Sequence, residues 1–287
     1  MNITINMNPF LSTKAQPLLF VVIFLIVITV SACSPKIQQT GLRAPADIKI
    51  DGQTLEWPNN KLQAYNPTER IEYTVCNDDD NLYLTARTSG HNAIDKIMYG
   101  GLIFTVNSVT GKDTNNVSLT FPIITPHDGY DIVTGAMHYD HERFRNDSVA
   151  RVKRPQLDSL LDALNKTAAK ILKEIKVTGV KAIKDSILSI INANSIKAMG
   201  QFNRKMEYTY ELAIPLKCLG LSIKNNSKFN YTIKLNGARL AINTNSNGTR
   251  TYEVRKGRPV LPPGVGPDVV YMQTTTNLTG EYTLAKK

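Results

Sequence analysis

The chain has 287 residues, of which 42% are hydrophobic and 20% charged, and its formal net charge is +10. A chain of this length and apolar content can bury a sizeable core, which excludes an intrinsically disordered protein. Its longest apolar run has about thirteen residues, fewer than the ~20 that a helix needs to cross a bilayer.

The first segment has the pattern of a secretory signal peptide. Residues 18–30 (LLFVVIFLIVITV) match a signal h-region, and Lys14 with the amino terminus places positive charge before it. No acidic residue precedes Cys33, and Ser31 and Ala32 are the small residues that signal cleavage requires. We predict a cleaved signal peptide over residues 1–32, and an uncleaved signal anchor that merely ends in cysteine is the alternative.

The four residues at this junction, VSAC, resemble the lipobox of bacterial lipoproteins. The resemblance implies that Cys33 becomes the first mature residue, with a diacylglycerol on its thiol and a third acyl chain on its amine. Three chains would anchor the protein in a membrane essentially permanently. An aspartate directly after the cysteine would retain such a lipoprotein in the inner membrane, so Ser34 at that position implies the outer membrane. The stretch SPKIQQ lacks an acidic cluster, which favours the periplasmic face of that membrane.

The residues after Cys33 resemble a linker. Residues 34–46 (SPKIQQTGLRAPA) hold two prolines and one glycine without apolar periodicity, so we predict a lipid-anchored tether over residues 33–46 that folding does not need. The folded domain is then expected to span residues 47–287.

Because the protein is expected to be exported, it would not meet nucleic acid routinely, so we expect no nucleic-acid partner despite the basic charge. This charge favours phosphate-bearing lipid head groups or acidic glycans, and a solvated basic surface without a partner is the alternative.

Short segments with alternating apolar and polar residues dominate the domain. The predicted strands cover residues 48–50, 70–76, 81–87, 101–107, 116–122, 205–214, 229–235, 249–255 and 269–273. Residues 77–81 (NDDDN) tolerate tight-turn geometry and predict a β-hairpin between two of these strands. Many short strands separated by Gly, Asn and Asp turns are typical of a sandwich or barrel. We therefore predict a mainly β fold, an antiparallel β-sandwich.

One segment has helical periodicity instead. Its apolar residues recur every three or four positions over residues 155–175, and Pro155 suits the first turn of a helix. We predict an inserted amphipathic helix that ends before Gly179 and covers an edge or end of the sandwich. A partner-binding helix is the alternative. Residues 176–190 return to a strand-like alternation.

Four stretches resemble family 9 carbohydrate-binding modules and their DOMON-like relatives: IKIDGQTLEW, NDDDNLYLTA, GLIFTVNSVTGKD and YELAIPLKCLGL. The resemblance implies a β-sandwich, and sugar-binding members of that family hold a glycan between two aromatic rings. Trp57 occupies a framework position of the pattern, so we expect it in the core. The tyrosines that would replace such a clamp, all expected on loops, are Tyr65, Tyr99, Tyr130 and Tyr139.

Residues with catalytic or metal-binding chemistry are few. His127, Asp128 and the HYDHE stretch at residues 138–142 are zinc-compatible types but lack a metalloenzyme spacing such as HExxH. We expect a solvated loop there, no cofactor and no catalytic residues. Cys76 and Cys218 are expected to be two free thiols, with a disulfide as the alternative.

Three functions remain open. We expect a non-enzymatic envelope lipoprotein that is anchored through Cys33 and binds a carbohydrate or another ligand. The first alternative is a structural or assembly component of the envelope without a small ligand, whose partner is another envelope protein. The second is a metal-dependent enzyme that uses the segment from His127 to Glu142. A tyrosine-lined groove would favour binding, and an apolar patch near the helix would favour assembly.

Overall fold

The computed structural model divides the chain into two units, Met1–Lys36 and Ile37–Lys287. The structure describes residues 37–38, 40–110, 113–149, 154–225, 227–237, 254–255, 258–259 and 267–286. The predicted signal peptide and Cys33 lie outside these residues, as does most of the predicted strand over residues 249–255.

Two antiparallel sheets form the second unit. The first sheet has the order β1-β2-β3-β9-β8, with β1 at Ala64–Asn66, β2 at Ile71–Asn77, β3 at Asn81–Thr88, β9 at Tyr208–Pro215 and β8 at Lys197–Phe202. The second has the order β13-β10-β4-β5-β6-β7, with β13 at Thr276–Thr283, β10 at Lys228–Leu235, β4 at Leu102–Thr110, β5 at Asp113–Phe121, β6 at Glu174–Thr178 and β7 at Ile187–Ser189. Two-residue strands at Val254–Arg255 (β11) and Arg258–Pro259 (β12) pair separately. The predicted mainly β, sandwich-like fold is confirmed.

The described residues form the helices α1 at His91–Gly100, α2 at Pro126–Val149, α3 at Arg154–Ile171 and α4 at Pro267–Gln273, with 3-10 turns at Pro58–Asn60, Leu216–Leu219 and Ile223–Asn225. Within the described ranges, none of the helices is both long and apolar enough to span a bilayer.

One hydrophobic core lies between the two sheets. Alternate residues of β10 enter it, among them Tyr231 and Ile233, and Tyr73 and Tyr210 enter it from the first sheet. Period-two alternation is what a strand with one buried face requires. The core therefore follows from the same pattern that predicted the strands.

A second, smaller core covers the other face of the first sheet. Strand register places Cys76, Tyr83 and Ala213 side by side on β2, β3 and β9. Trp57 packs on them and is 3% exposed, which confirms its expected place in the core. Cys76 and Cys218 are both free thiols, as expected.

The expected tether is wrong for residues 37–44, because this segment pairs with strand β2. The Gln38 side-chain amide donates to the Val75 carbonyl (2.6 Å) and accepts from the Val75 amide (2.8 Å). The Ala44 amide donates to the Asn77 carbonyl (2.9 Å), and the Asn77 amide donates to the Leu42 carbonyl (3.0 Å). Within the described residues, the fold thus includes residues that precede Asp47. Backbone and amide pairing at an edge needs no apolar periodicity, so the sequence carried no signal for it.

The predicted helix is confirmed as α3, although it ends at Ile171 and strand β6 begins at Glu174. Its buried stripe consists of Leu157, Leu161, Leu164 and Ala168. Asn165 exchanges two hydrogen bonds of 2.9 Å with the backbone of Phe202 on edge strand β8. The expectation that this helix covers an edge of the sandwich therefore holds.

Other local predictions are wrong. Residues 126–149 form helix α2 where a solvated loop was expected, and α1 was not predicted. Residues 48–50 form no strand, and residues 269–273 belong to helix α4, which packs on α1. The β-branched Val269 and Val270 favour a strand, but tertiary packing overrides such a local preference. Strands β1, β8 and β13 were missed, whereas the predicted hairpin is present as β2-β3.

Candidate functional site

A polar cleft of about 340 Å³ lies at the end of the first sheet where β1 and β3 finish and β2 and β9 start. Its lining comes from these strand ends and from the start of α1. The lining residues are Tyr65, Pro67, Arg70, Glu72, Arg87, Thr88, Ser89, Gly90 and Glu207. The cleft thus combines one aromatic ring with two guanidinium groups, two carboxylates and two hydroxyl groups.

Tyr65 supplies the aromatic ring of the cleft. It lies on β1 and is 48% exposed, so its ring is open to a ligand. The expectation that the four tyrosines lie on loops is wrong, since Tyr65 lies on a strand, Tyr99 lies on α1, and Tyr130 and Tyr139 lie on α2. Tyr139 is buried, and its hydroxyl donates to the Arg204 carbonyl (3.0 Å). Among the residues that line the cleft, the predicted set contributes Tyr65 alone.

Arg87 is held in place on the cleft wall. Its guanidinium donates to Glu72 Oε2 (Nε at 3.1 Å) on the neighbouring strand β2 and to the Asn60 carbonyl (2.9 Å). Strand register explains the contact, because Arg87 and Glu72 are direct cross-strand partners. Both groups are therefore ordered before any ligand arrives.

Arg70 is fixed in a different way. Its backbone has a φ of +57°, a left-handed conformation that is costly for a residue with a side chain. Its guanidinium carbon lies 4.4 Å from the ring centroid of Tyr271 on α4. The Tyr271 hydroxyl donates to the Glu69 carbonyl (2.8 Å), which ties α4 to the segment before β2. Arg70 is thus oriented by a cation–π contact.

A buried ionic network lies behind Arg70. The Lys96 ammonium donates to Thr276 Oγ1 (2.6 Å), and the Thr276 hydroxyl donates to Glu69 Oε2 (2.7 Å). The ammonium also lies 4.1 Å from the Tyr271 ring centroid. Burial lowers the pKa of Lys96 to about 8 and raises the pKa of Glu69. Because neither residue lines the cleft, this network supports its wall and does not contact a ligand there.

Helices α1 and α2 are joined by a second polar contact. His91 Nε2 lies 2.9 Å from Asp140 Oδ2, and Arg143 Nε donates to Asp140 Oδ1 (2.9 Å). Burial raises the pKa of Asp95, one turn further along α1, to about 6. Sequence patterns gave no signal for this pair, because His91 and Asp140 are far apart in the chain. The contact joins α1 to α2.

The segment from His127 to Glu142, which the metal-enzyme alternative would use, does not bring its histidines and carboxylates together. His138 and His141 are exposed on α2, and His127 lies in its first turn, also exposed. Asp140 lies on the opposite, buried side of the helix. Among the described residues, no three side chains of His, Cys, Asp or Glu come together in a metal-binding arrangement.

Glu211 is a buried carboxyl beneath the second core. Its Oε2 accepts hydrogen bonds from the amides of Asp51 (2.8 Å) and Gly52 (2.7 Å), while Oε1 is buried without a partner among the described residues. Burial, reinforced by Glu56 and Asp51, raises the pKa of Glu211 from 4.5 to about 8. The Asp51-Gly52 turn thus donates two backbone amides to this carboxyl, while the negative charge of Asp51 disfavours its ionised form.

This carboxyl should make stability depend on pH. The folded protein keeps the Glu211 proton between pH 4.5 and about 8, where the unfolded chain has lost it, so the free energy of unfolding should fall as pH rises through this window. Glu211→Gln keeps an oxygen for both amides and removes the titration. Urea unfolding at pH 5 and pH 8.5 should show a larger decline for the wild type than for the variant; equal declines would contradict a protonated Glu211.

A comparison with known proteins finds no protein-family model and no curated protein that matches this chain. The resemblance to family 9 carbohydrate-binding modules therefore rests on the four strand patterns quoted above.

Proposed function

We propose that this protein is a lipid-anchored, non-enzymatic envelope protein that binds a carbohydrate in the cleft beside Tyr65. The observation that carries the proposal is the combination in one 340 Å³ cleft of an exposed aromatic ring with polar side chains that are already held in position. This volume is at the lower end of the range for small-molecule sites, about 300–1,000 Å³, which suits one sugar residue or a chain end.

The chemistry of the cleft matches that of a sugar. The apolar C–H face of a pyranose packs on an aromatic ring, as Tyr65 offers, and its hydroxyl groups need both donors and acceptors. Arg87 supplies donors, and Glu72 and Glu207 supply acceptors. Because the Arg87 side chain is fixed by its ion pair, binding loses little conformational entropy there.

In this proposal, the protein is anchored through Cys33 and lies on the periplasmic face of the outer membrane. Support comes from the lipobox-like VSAC sequence and from the signal-peptide pattern before it. In bacteria that express the chain, radiolabelled palmitate should enter the wild type, and Cys33→Ser should remain unlabelled and unprocessed. Label retained by the variant would contradict the anchor without affecting the proposed cleft.

A glycan array tests the ligand class. The mature chain without its lipid, residues 34–287, is expected to bind a defined set of glycans, and Tyr65→Ala should lose all of them. Tyr130→Ala is the matched control, since Tyr130 is also an exposed tyrosine but lies on α2 outside the cleft. A blank array for the folded wild type would overturn carbohydrate binding and favour an assembly role.

A further inference from the structure

A second cavity lies at the opposite end of β9 from the polar cleft. The cleft borders Glu207, just before β9 starts, whereas this cavity borders Lys217 and Cys218, just after β9 ends. Its volume is about 570 Å³, within the range of about 300–1,000 Å³ that is typical of small-molecule sites. It is called the β9-end cavity below. Because it shares no lining residue with the cleft, the two sites are separate.

Connections between strands form most of the wall of the β9-end cavity. Residues 179–182 belong to the connection between β6 and β7, and residues 193–194 to the connection between β7 and β8. Residues 217–218 belong to the 3-10 turn after β9, and Asn115 lies on β5. The cavity thus combines residues that are far apart in the sequence, so no motif could have marked it.

Two of these walls are held in place by hydrogen bonds. The Leu219 carbonyl in the 3-10 turn accepts from the Asn115 side-chain amide (3.0 Å) and from the Ser108 hydroxyl (3.1 Å), which ties the turn to β5 and β4. In the connection before β8, the Asn192 side-chain amide donates to the Ile196 carbonyl (2.7 Å). The cavity is therefore largely formed before a ligand arrives, which lowers the entropic cost of binding.

The charge in the lining of the β9-end cavity is positive. Lys181 and Lys217 contribute two ammonium groups, and no carboxylate is among the described residues that line the cavity. Neither lysine forms an ion pair within the described part of the chain. Asp79 and Asp80 line a neighbouring cavity that also borders Lys217. Two ammonium groups in a lining without a carboxylate attract an anion.

The remaining lining is small and mostly apolar. Val180, Ala182 and Ala193 contribute methyl groups, and the thiol of Cys218 is free. Methyl groups that line a cavity favour a ligand with a hydrocarbon part, because contact removes the apolar surface of both from water. The ligand that matches this lining has a charged end and a short apolar body.

We propose that the β9-end cavity binds a small organic anion, with its carboxylate or phosphate group at Lys181 and Lys217 and a short hydrocarbon body against the methyl groups. A neutral sugar would leave both ammonium groups without a counter-charge in the cavity, and an anion without an apolar body would leave the methyl groups in water. This site goes beyond the proposed sugar cleft and does not depend on it.

Protection of Cys218 from alkylation tests the site in the full chain, extracted in a non-ionic detergent. N-ethylmaleimide should label Cys218, which is partly exposed, while fully buried Cys76 stays unlabelled and reports that the protein is folded. Peptide mapping by mass spectrometry separates the thiols. Hexanoate or hexyl phosphate at about ten times its dissociation constant should slow the labelling of Cys218 about tenfold, because only unoccupied protein reacts. The two anions distinguish a carboxylate site from a phosphate site.

Matched ligands and variants separate the contributions. Hexanamide has the hydrocarbon body of hexanoate without its charge and should not protect, and inorganic phosphate should protect more weakly than hexyl phosphate. Lys181→Gln should lose the protection. Lys184→Gln should keep it, because Lys184 is an exposed lysine of the same connection but does not line the cavity. Tyr65→Ala should also keep it, so a failure of the sugar cleft and a failure of this site are distinguishable.

Thermal unfolding provides a second measurement that does not use the thiol. Hexanoate or hexyl phosphate should raise the unfolding temperature of the wild type and leave that of Lys181→Gln unchanged. The proposal would be overturned by equal protection from hexanamide, by protection that Lys181→Gln retains, or by no effect of either anion at ~10 mM, which exceeds the dissociation constant of even a weak site. A Cys218 thiol that does not react without ligand would show a cavity closed to small molecules and would overturn it as well.

Discussion

Leu161→Asp should prevent folding or lower the free energy of unfolding by about 3–5 kcal/mol. Leu161 lies on the buried stripe of α3, between Leu157 and Leu164, and is 9% exposed. The variant would lose the apolar contact and place a carboxylate in the hydrophobic core. Urea unfolding followed by circular dichroism measures the change.

Ala163→Asp is the matched control, because Ala163 is exposed on the same helix and receives the same charge. Its free energy of unfolding should stay within about 0.5 kcal/mol of the wild type. A Leu161→Asp protein that is fully stable but has lost a binding partner would contradict the buried stripe and favour the alternative, a partner-binding helix.

Trp57→Ala should cost about 3–5 kcal/mol of stability, as expected for a large aromatic side chain removed from a core. Trp57 is 3% exposed and packs with Cys76, Tyr83 and Ala213 on the outer face of the first sheet. It does not line the cleft, so the folded fraction should retain glycan binding. Thermal or urea unfolding reports the loss of stability.

Leu55→Ala serves as the control for this region, since Leu55 is close in sequence yet 74% exposed. We expect its free energy of unfolding to remain within about 0.5 kcal/mol of the wild type. Glycan binding abolished in a fully folded Trp57→Ala protein would show that this ring contacts the ligand.

Periodicity made much of the fold predictable. Strand β10 buries every second residue, and α3 has an apolar residue on one side at every turn. In such segments the local pattern agrees with the burial of the side chains in the fold, so the sequence alone is enough to predict the element. The short Asn-Asp turn between β2 and β3 was predicted from its residue types, which tolerate tight-turn geometry.

Edges, short elements and the cleft could not be predicted in this way. Residues 37–44 cover β2 through backbone groups and Gln38, and α2 carries apolar residues on two sides, which obscured its helical period. The cleft forms where strand ends that are distant in sequence meet. Arg70 and Glu207 therefore belong to no sequence motif that would have marked them as site residues. The resemblance suggested tyrosines, but only the fold separates exposed Tyr65 from buried Tyr139.

Isothermal titration with the glycan that an array identifies would test carbohydrate binding at this cleft most directly. We predict that the wild type and Tyr130→Ala bind with the same affinity, whereas Tyr65→Ala binds at least about tenfold more weakly, a loss of about 1.4 kcal/mol. Unfolding curves of the three proteins should coincide, because both tyrosines are exposed. Equal affinity of Tyr65→Ala and the wild type would contradict a sugar site beside Tyr65.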